Sequence, residues 1–332
     1  GNFLSIIHTT QDLEAFCLNA SNYPYVTVDT EFMRDKTYYA KLCLIQLAYP
    51  EKGKDSCALI DPLAQKISLQ PFFDLLANEN VVKVFHSGRQ DLEIFFNMTG
   101  VLPRPIFDTQ IAAMVCGFGD QVAYETLVNQ IVEKRIDKSS RFTDWSKRPL
   151  SDKQINYALS DVTFLRTIYE NLSEELNSSQ RLSWVKEEFD ILKDPKTYSI
   201  DPDQSWKRIK LRRKDGDFVK IIKSISSFRE NEAQKRDLPR GHILKDEELI
   251  QIASQRPKKI EDLYNSRLPS KALKTEWIAK GIIKCVESSK LLPDEPIEKY
   301  QYIPLSASQL ALVELLKVLL KFNASCHKVA TK

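Results

Sequence analysis

No run of eighteen apolar residues occurs in this sequence, which excludes a hydrophobic membrane-spanning helix. No Cys-x-x-Cys pair occurs either; the six cysteines fall at 17, 43, 57, 116, 285 and 326. A disulfide framework is foreign to a cytosolic chain of this length, so six reduced core thiols are expected, with Cys43 and Cys57 on adjacent buried strands. Histidine is scarce, four in 332 residues, and none stands at zinc spacing from a cysteine. That argues against a zinc site. There is no internal repeat or low-complexity tract. No secretory signal follows the opening Gly1-Asn2-Phe3-Leu4-Ser5, whose leading glycine reads as a cloning remnant, and a cytoplasmic location is expected. No membrane association is expected, and no obligate protein partner is implied.

The material present is ordinary for a globular protein: 42% hydrophobic and 28% charged residues, enough for two or three cores. The net charge of +3 conceals an uneven distribution. Residues 1–205 hold 21 Lys and Arg against 29 Asp and Glu, whereas residues 206–285 hold 21 against 11. An acidic part followed by a basic one suits either a metal-holding enzyme joined to a polyanion-binding module or a solvated basic helical face.

The first 110 residues read as mixed α/β. Val26 to Phe32, Leu42 to Leu47 and Ala58 to Asp61 are β-rich segments at hairpin spacing and predict an antiparallel meander. Next come a helix over 69–77, a strand over 81–85 and a second helix from Ser87-Gly88 to Met98. After Asp108 the pattern is helical almost throughout. From Asp152 to Leu176, Ile155, Ala158, Leu159, Val162, Leu165, Ile168 and Tyr169 recur at helical spacing, and Ser151 with Gln154 fits a capping box. The expected organisation is an α/β domain over 1–194, a linker over 195–206, a helical domain over 207–288, and a linker plus partial helical segment over 289–332.

Asp29 and Glu31 stand two apart on a predicted strand, so their carboxylates share a face while Val28 and Phe32 point the other way. Buried acids of that kind call for a cationic partner, and a hard divalent ion is the natural one; the alternative is an exposed edge strand. Asp91 lies just inside a helix, where the helix dipole alone explains it. Tyr157 and Asp161, four apart on a helix, share one of its faces, as many surface pairs do.

Taken in order, Asp-x-Glu, then Asp at a strand-to-helix junction, then Tyr-x-x-x-Asp resemble the four-acid 3′→5′ exonuclease superfamily in its tyrosine form. The wider phrases Val28-Asp29-Thr30-Glu31-Phe32, Lys41-Leu42-Cys43-Leu44-Ile45-Gln46, His86-Ser87-Gly88-Arg89-Gln90-Asp91, Phe107-Asp108-Thr109-Gln110 and Asp144 to Leu150 are similar to ribonuclease D over roughly residues 3–190. The resemblance implies a ribonuclease-H-like α/β fold, a mixed sheet flanked by helices, followed by an all-α bundle. It implies two divalent ions, Mg2+ or Mn2+, held by Asp29, Glu31 and Asp161, with Asp91 assisting through water and Tyr157 orienting the attacking water. Phe32 is expected to stack on the terminal base or to sit in the core. His86 and Gln90 are expected to contact the terminal sugar or phosphate or to cap the helix. Lys138 corresponds to a phosphate-facing lysine in a flexible loop, while Trp145 and Arg148 are expected to dock that loop.

Residues 206–288 resemble the helicase-and-ribonuclease-D C-terminal domain, carried by Phe228-Arg229-Glu230, Arg236 to Leu244 and Leu249 to Ala253. Its charge suits phosphate-backbone contact. The implied substrate is RNA, in particular precursor transfer RNA with a 3′ extension. Two rivals stay open: a DNA exonuclease on the same scaffold and a catalytically dead RNA-binding adaptor.

Overall fold

The computed structural model describes residues 6–51, 53–212, 215–264, 272–293 and 304–331. The chain divides into two compact units. One comprises Gly1–Met33, Lys41–Tyr198 and Leu305–Lys332; the other comprises Arg34–Ala40 and Ser199–Pro304. No helix among the described residues is long and apolar enough to cross a membrane.

The first unit runs β1 (Ile6–Ile7), α1 (Thr10–Ala20), β2 (Tyr25–Met33), β3 (Lys41–Ala48), β4 (Cys57–Ile60), α2 (Gln70–Ala77), β5 (Val82–Phe85), α3 (Arg89–Thr99), β6 (Ile106–Asp108), α4 (Thr109–Ala113), α5 (Tyr124–Leu127), α6 (Asp152–Ser179) and α7 (Lys186–Lys193). The strands form one six-stranded mixed sheet in the order β1-β4-β3-β2-β5-β6. β2, β3 and β4 make the antiparallel meander, and β5 and β6 extend it in parallel beyond β2. β2 is thus interior to the sheet, paired on both sides. Cys43 and Cys57 do lie on the neighbouring strands β3 and β4, but Cys326 is exposed, so five of the six thiols are buried rather than all.

α6 explains how a late segment reaches the sheet. Its 28 residues span about 42 Å. It starts at the Ser151–Gln154 capping box and buries Ala158, Leu159, Val162, Leu165, Ile168, Leu172 and Leu176. The Thr27 hydroxyl on β2 donates to the Val162 carbonyl at 2.8 Å, which fixes helix against strand. At the β5-to-α3 junction, a Cβ on Gly88 would stand 2.5 Å from that of Phe85, so the turn needs glycine there. Asp108 clasps the same turn, accepting from the Ser87 and Gly88 amides at 3.0 and 2.8 Å.

The second unit is helical: α8 (Gly216–Arg236), α9 (Arg240–Ile243), α10 (Asp246–Gln255), α11 (Ile260–Tyr264) and α12 (Glu276–Ser288). Phe218, Ile222, Ile225, Leu249, Ile252 and Ile282 centre its core. The expected linker over 195–206 is largely structured. Pro195–Thr197 and Pro202–Arg208 are 3-10 turns, and Ser205 bonds Ser226 of α8 at 2.9 Å. Of the region 289–332, residues 294–303 lie outside the described residues. The last helix, α13 (Ala307–His327), groups with the first unit instead of extending the helical one. Its C-terminal end carries the attachment: the Ala330 amide donates to the Met114 carbonyl and Arg181 to the His327 carbonyl, both at 2.7 Å.

Candidate active site

The alternation of β2 turns Asp29 and Glu31 to one face, and α6 lies across that face with Asp161 one turn beyond Tyr157. One carboxylate oxygen from each of Asp29, Glu31 and Asp161 lies within 4.8 Å of the others. Asp91 stands beside this trio without belonging to it; it is 6% exposed and accepts from the Thr30 hydroxyl.

The cluster is electrostatically unfinished. Burial, then the charges of Asp161 and Asp91, push Glu31 up to about 9. Burial also lifts Asp161 to about 8, against the pull of Arg141 and a hydrogen bond from Asp29. Burial lifts Asp91 to about 7 in spite of its hydrogen bond from Thr30. Asp29 is raised well above the carboxylate range, by burial first and by its three acidic neighbours next. Acids that hold their protons so tightly lack a counter-charge, and an all-oxygen donor set fits a hard divalent cation. Tyr157 is likewise raised, by burial and then by Asp161, so its phenol stays protonated; its ring lies 6.1 Å from that of Trp145.

Asp29, Tyr157 and Asp161 open onto a cavity of about 390 Å³ that is also lined by His86, Tyr124, Lys138 and Arg141. His86 lines it with both nitrogens already engaged, Nδ1 with the Thr109 hydroxyl at 2.9 Å and Nε2 with the Val122 carbonyl at 3.0 Å. A carbonyl only accepts, so Nε2 carries the hydrogen, and burial lowers the ring's pKa; His86 offers a neutral ring face rather than a free donor. Lys138 lines the cavity as the partner of Glu125. Phe32 is half-buried on β2, just past a register shift at Glu31/Phe32, and Gln90 is exposed on α3; neither lines this cavity. Arg148 meets Asp61 with two hydrogen bonds, at 3.0 and 2.8 Å, and also donates to the Cys43 and Trp145 carbonyls, which docks the segment leading into α6. Sequence reading missed Arg141 and Tyr124. A second cation three residues after Lys138 was the available signal for Arg141; none existed for Tyr124, whose hydroxyl donates to the Ser160 carbonyl at 2.7 Å.

Three acids on an interior strand and a crossing helix of a mixed sheet, with tyrosine one turn before the last acid, define a 3′→5′ exonuclease domain of the tyrosine type. A 3′-5′ exonuclease family model matches residues 4–177, and an HRDC domain model matches residues 219–284. The chain is 51% identical over 328 residues to the ribonuclease D of Jannaschia sp. (strain CCS1), covering 98% of this chain and 85% of that one. It is 43% identical over 330 residues to the ribonuclease D of Nitrobacter hamburgensis, covering 99% and 85%. Its fold matches the crystal structure of Escherichia coli RNase D with a TM-score of 0.85 at 28% identity, over 98% of this chain and 86% of that one. The chain belongs to the ribonuclease D family, and by that membership it is a 3′→5′ exoribonuclease.

Proposed function

We propose that this protein removes single 5′-nucleotides from the 3′ end of RNA with two bound divalent cations, Mg2+ or Mn2+, and that it trims precursor transfer RNA in the cytoplasm. The observation that carries the reading is the convergence of Asp29, Glu31 and Asp161 within 4.8 Å, with Asp29, Asp161 and Tyr157 on the wall of one cavity. Bound cations supply a water that ionises near neutral pH and a charge that offsets the departing 3′ oxygen. Asp29, Glu31 and Asp161 would hold them, with Asp29 shared between both and Asp91 acting through water. The remaining work falls to the chain's own groups. Tyr157, too weak an acid to lose its proton at neutral pH, orients the attacking water through its hydroxyl. His86 and Tyr124 close the cavity with ring faces whose polar atoms are already spent. The excess positive charge of residues 206–285 supports phosphate contact by the helical unit.

The deciding assay uses a 3′-extended transfer RNA precursor with added Mg2+ or Mn2+ and with EDTA. Cation-dependent release of mononucleotides is the expected result. Binding without release would assign the chain to the adaptors. Matched RNA and DNA 3′ tails separate the remaining rival, because only RNA presents a 2′-hydroxyl; equal release from both would make it a general exonuclease.

A further inference from the structure

Next to Asp29 lies a buried amide with nothing to bond. Gln46, in the middle of β3, is 0% exposed, and among the described residues neither its Nε2 nor its Oε1 has a hydrogen-bond partner. In register it stands directly opposite Asp29 on β2, with Leu59 of β4 on its other side. Directly opposed residues of an antiparallel pair share a face, with Cβ atoms about 5 Å apart. The amide therefore sits on the face that carries Asp29 and Glu31. Leu44 and Ala48, two residues to either side of it, pack in one apolar cluster with Ala158 and Val162 of α6. Protein interiors leave few buried polar side chains unpartnered, and an apolar residue of equal volume would fill this place without any desolvation cost. A carboxylate engaged with a cation is an acceptor only, and an amide NH2 is the complement it needs from the protein side.

We propose that Gln46 is a positioning residue for the cation-loaded site, its Nε2 donating to the Asp29 carboxylate and holding that side chain in its liganding orientation. The inference rests on reading the acids as cation holders. Groups that steady a metal ligand from behind affect affinity for the metal directly, which separates this role from a packing role.

The test uses the full chain and Mn2+ alone as probe, with binding followed by electron paramagnetic resonance or calorimetry in wild type, Gln46→Leu and Gln46→Met. Circular dichroism and thermal denaturation in EDTA run alongside. The Mn2+ dissociation constant is expected to rise about tenfold or more in both variants. Their melting temperature in EDTA should match or exceed that of wild type, because an unpartnered amide has been exchanged for an apolar group. Folded variants whose affinity stays within about twofold of wild type, a difference under half a kcal/mol, overturn the proposal. So does failure of both variants to fold in EDTA, which would show that the amide has a structural partner. Should wild type itself take up no Mn2+, the cation reading falls as well; should wild type bind and the variants bind equally, only the role of Gln46 falls.

Discussion

Asp161 and Tyr157 sit one helical turn apart on α6, and in the proposed mechanism they divide the chemistry between them, one as a charge and one as a hydrogen bond. Asp161→Asn is expected to abolish nucleotide release while circular dichroism stays native, because the helix and its buried apolar stripe do not involve the lost charge. Tyr157→Phe keeps the ring beside Trp145 and removes only the hydroxyl; kcat should fall about a hundredfold with RNA affinity held, as loss of a group that orients the attacking water does. Wild-type turnover in either variant would refute the assigned roles. The same carboxyls set a pH dependence. Folded, Glu31, Asp161 and Asp91 titrate near about 9, 8 and 7, whereas in the unfolded chain they titrate near about 4. Between those limits the native state holds more protons than the unfolded state, so stability in EDTA is expected to fall as pH rises from about 5 to about 9. Asp161→Asn should flatten that slope, and the rise in melting temperature on adding Mn2+ should grow with pH because protons compete with the cation. A melting temperature in EDTA that ignores pH over this range would contradict the electrostatic account.

At the scale of elements, the segment from Glu133 to Leu150 brings two cations to the cavity wall, and the pairing of one distinguishes them. Lys138 is occupied by Glu125, whereas Arg141 opposes the upward push that burial and neighbouring acids exert on Glu31 and Tyr157. Arg141 is therefore expected to be the stronger contact for an incoming phosphate, with a planar fork suited to two of its oxygens. Arg141→Ala should raise KM about tenfold and lower the slope of log affinity against log salt by about 0.7, the value for one phosphate contact on a single strand. Lys147→Ala, exposed in the same segment but off the cavity wall, should change neither. Equal effects of the two substitutions would remove the distinction. Lys138 was singled out by resemblance, but its pairing and the placement of Arg141 were not readable beforehand, for a physical reason: a segment without periodicity gives no indication of where its side chains point. The long amphipathic stretch of α6 and its capping box were legible because burial of one face writes itself into spacing, and the three strands were legible as β-rich runs at hairpin spacing, although β3 and β4 are buried on both faces. β1 and β6, two and three residues long, are too short to carry a period. The commitment of His86 was equally hidden, since the Val122 carbonyl that occupies its Nε2 is 36 residues away in the chain.

At the scale of the whole molecule, the proposed function assigns the holding of cations to the acid-rich residues 1–205 and the attraction of a polyanion to the base-rich residues 206–285. Basic side chains cannot crowd the acid trio without competing for the carboxylates, so most phosphate attraction has to be placed elsewhere in the chain. Within the helical unit, a cleft of about 470 Å³ is lined by Lys220, Arg256, Lys258 and Lys290 together with Asp217 and Glu287. Arg256 is spent on Asp215 and Asp217, at 3.4 and 3.1 Å, while Lys258 and Lys290 are exposed. The double substitution Lys258→Ala with Lys290→Ala is expected to raise KM for a 3′-extended transfer RNA severalfold and to lower the salt slope by about 1.8 if both lysines meet duplex phosphates. The loss should fall on KM rather than on kcat at saturation, because these contacts bind substrate and transition state alike. A salt slope equal to that of wild type on structured RNA would mean that the helical unit's charge is a solvated surface and that recognition resides in the exonuclease unit alone.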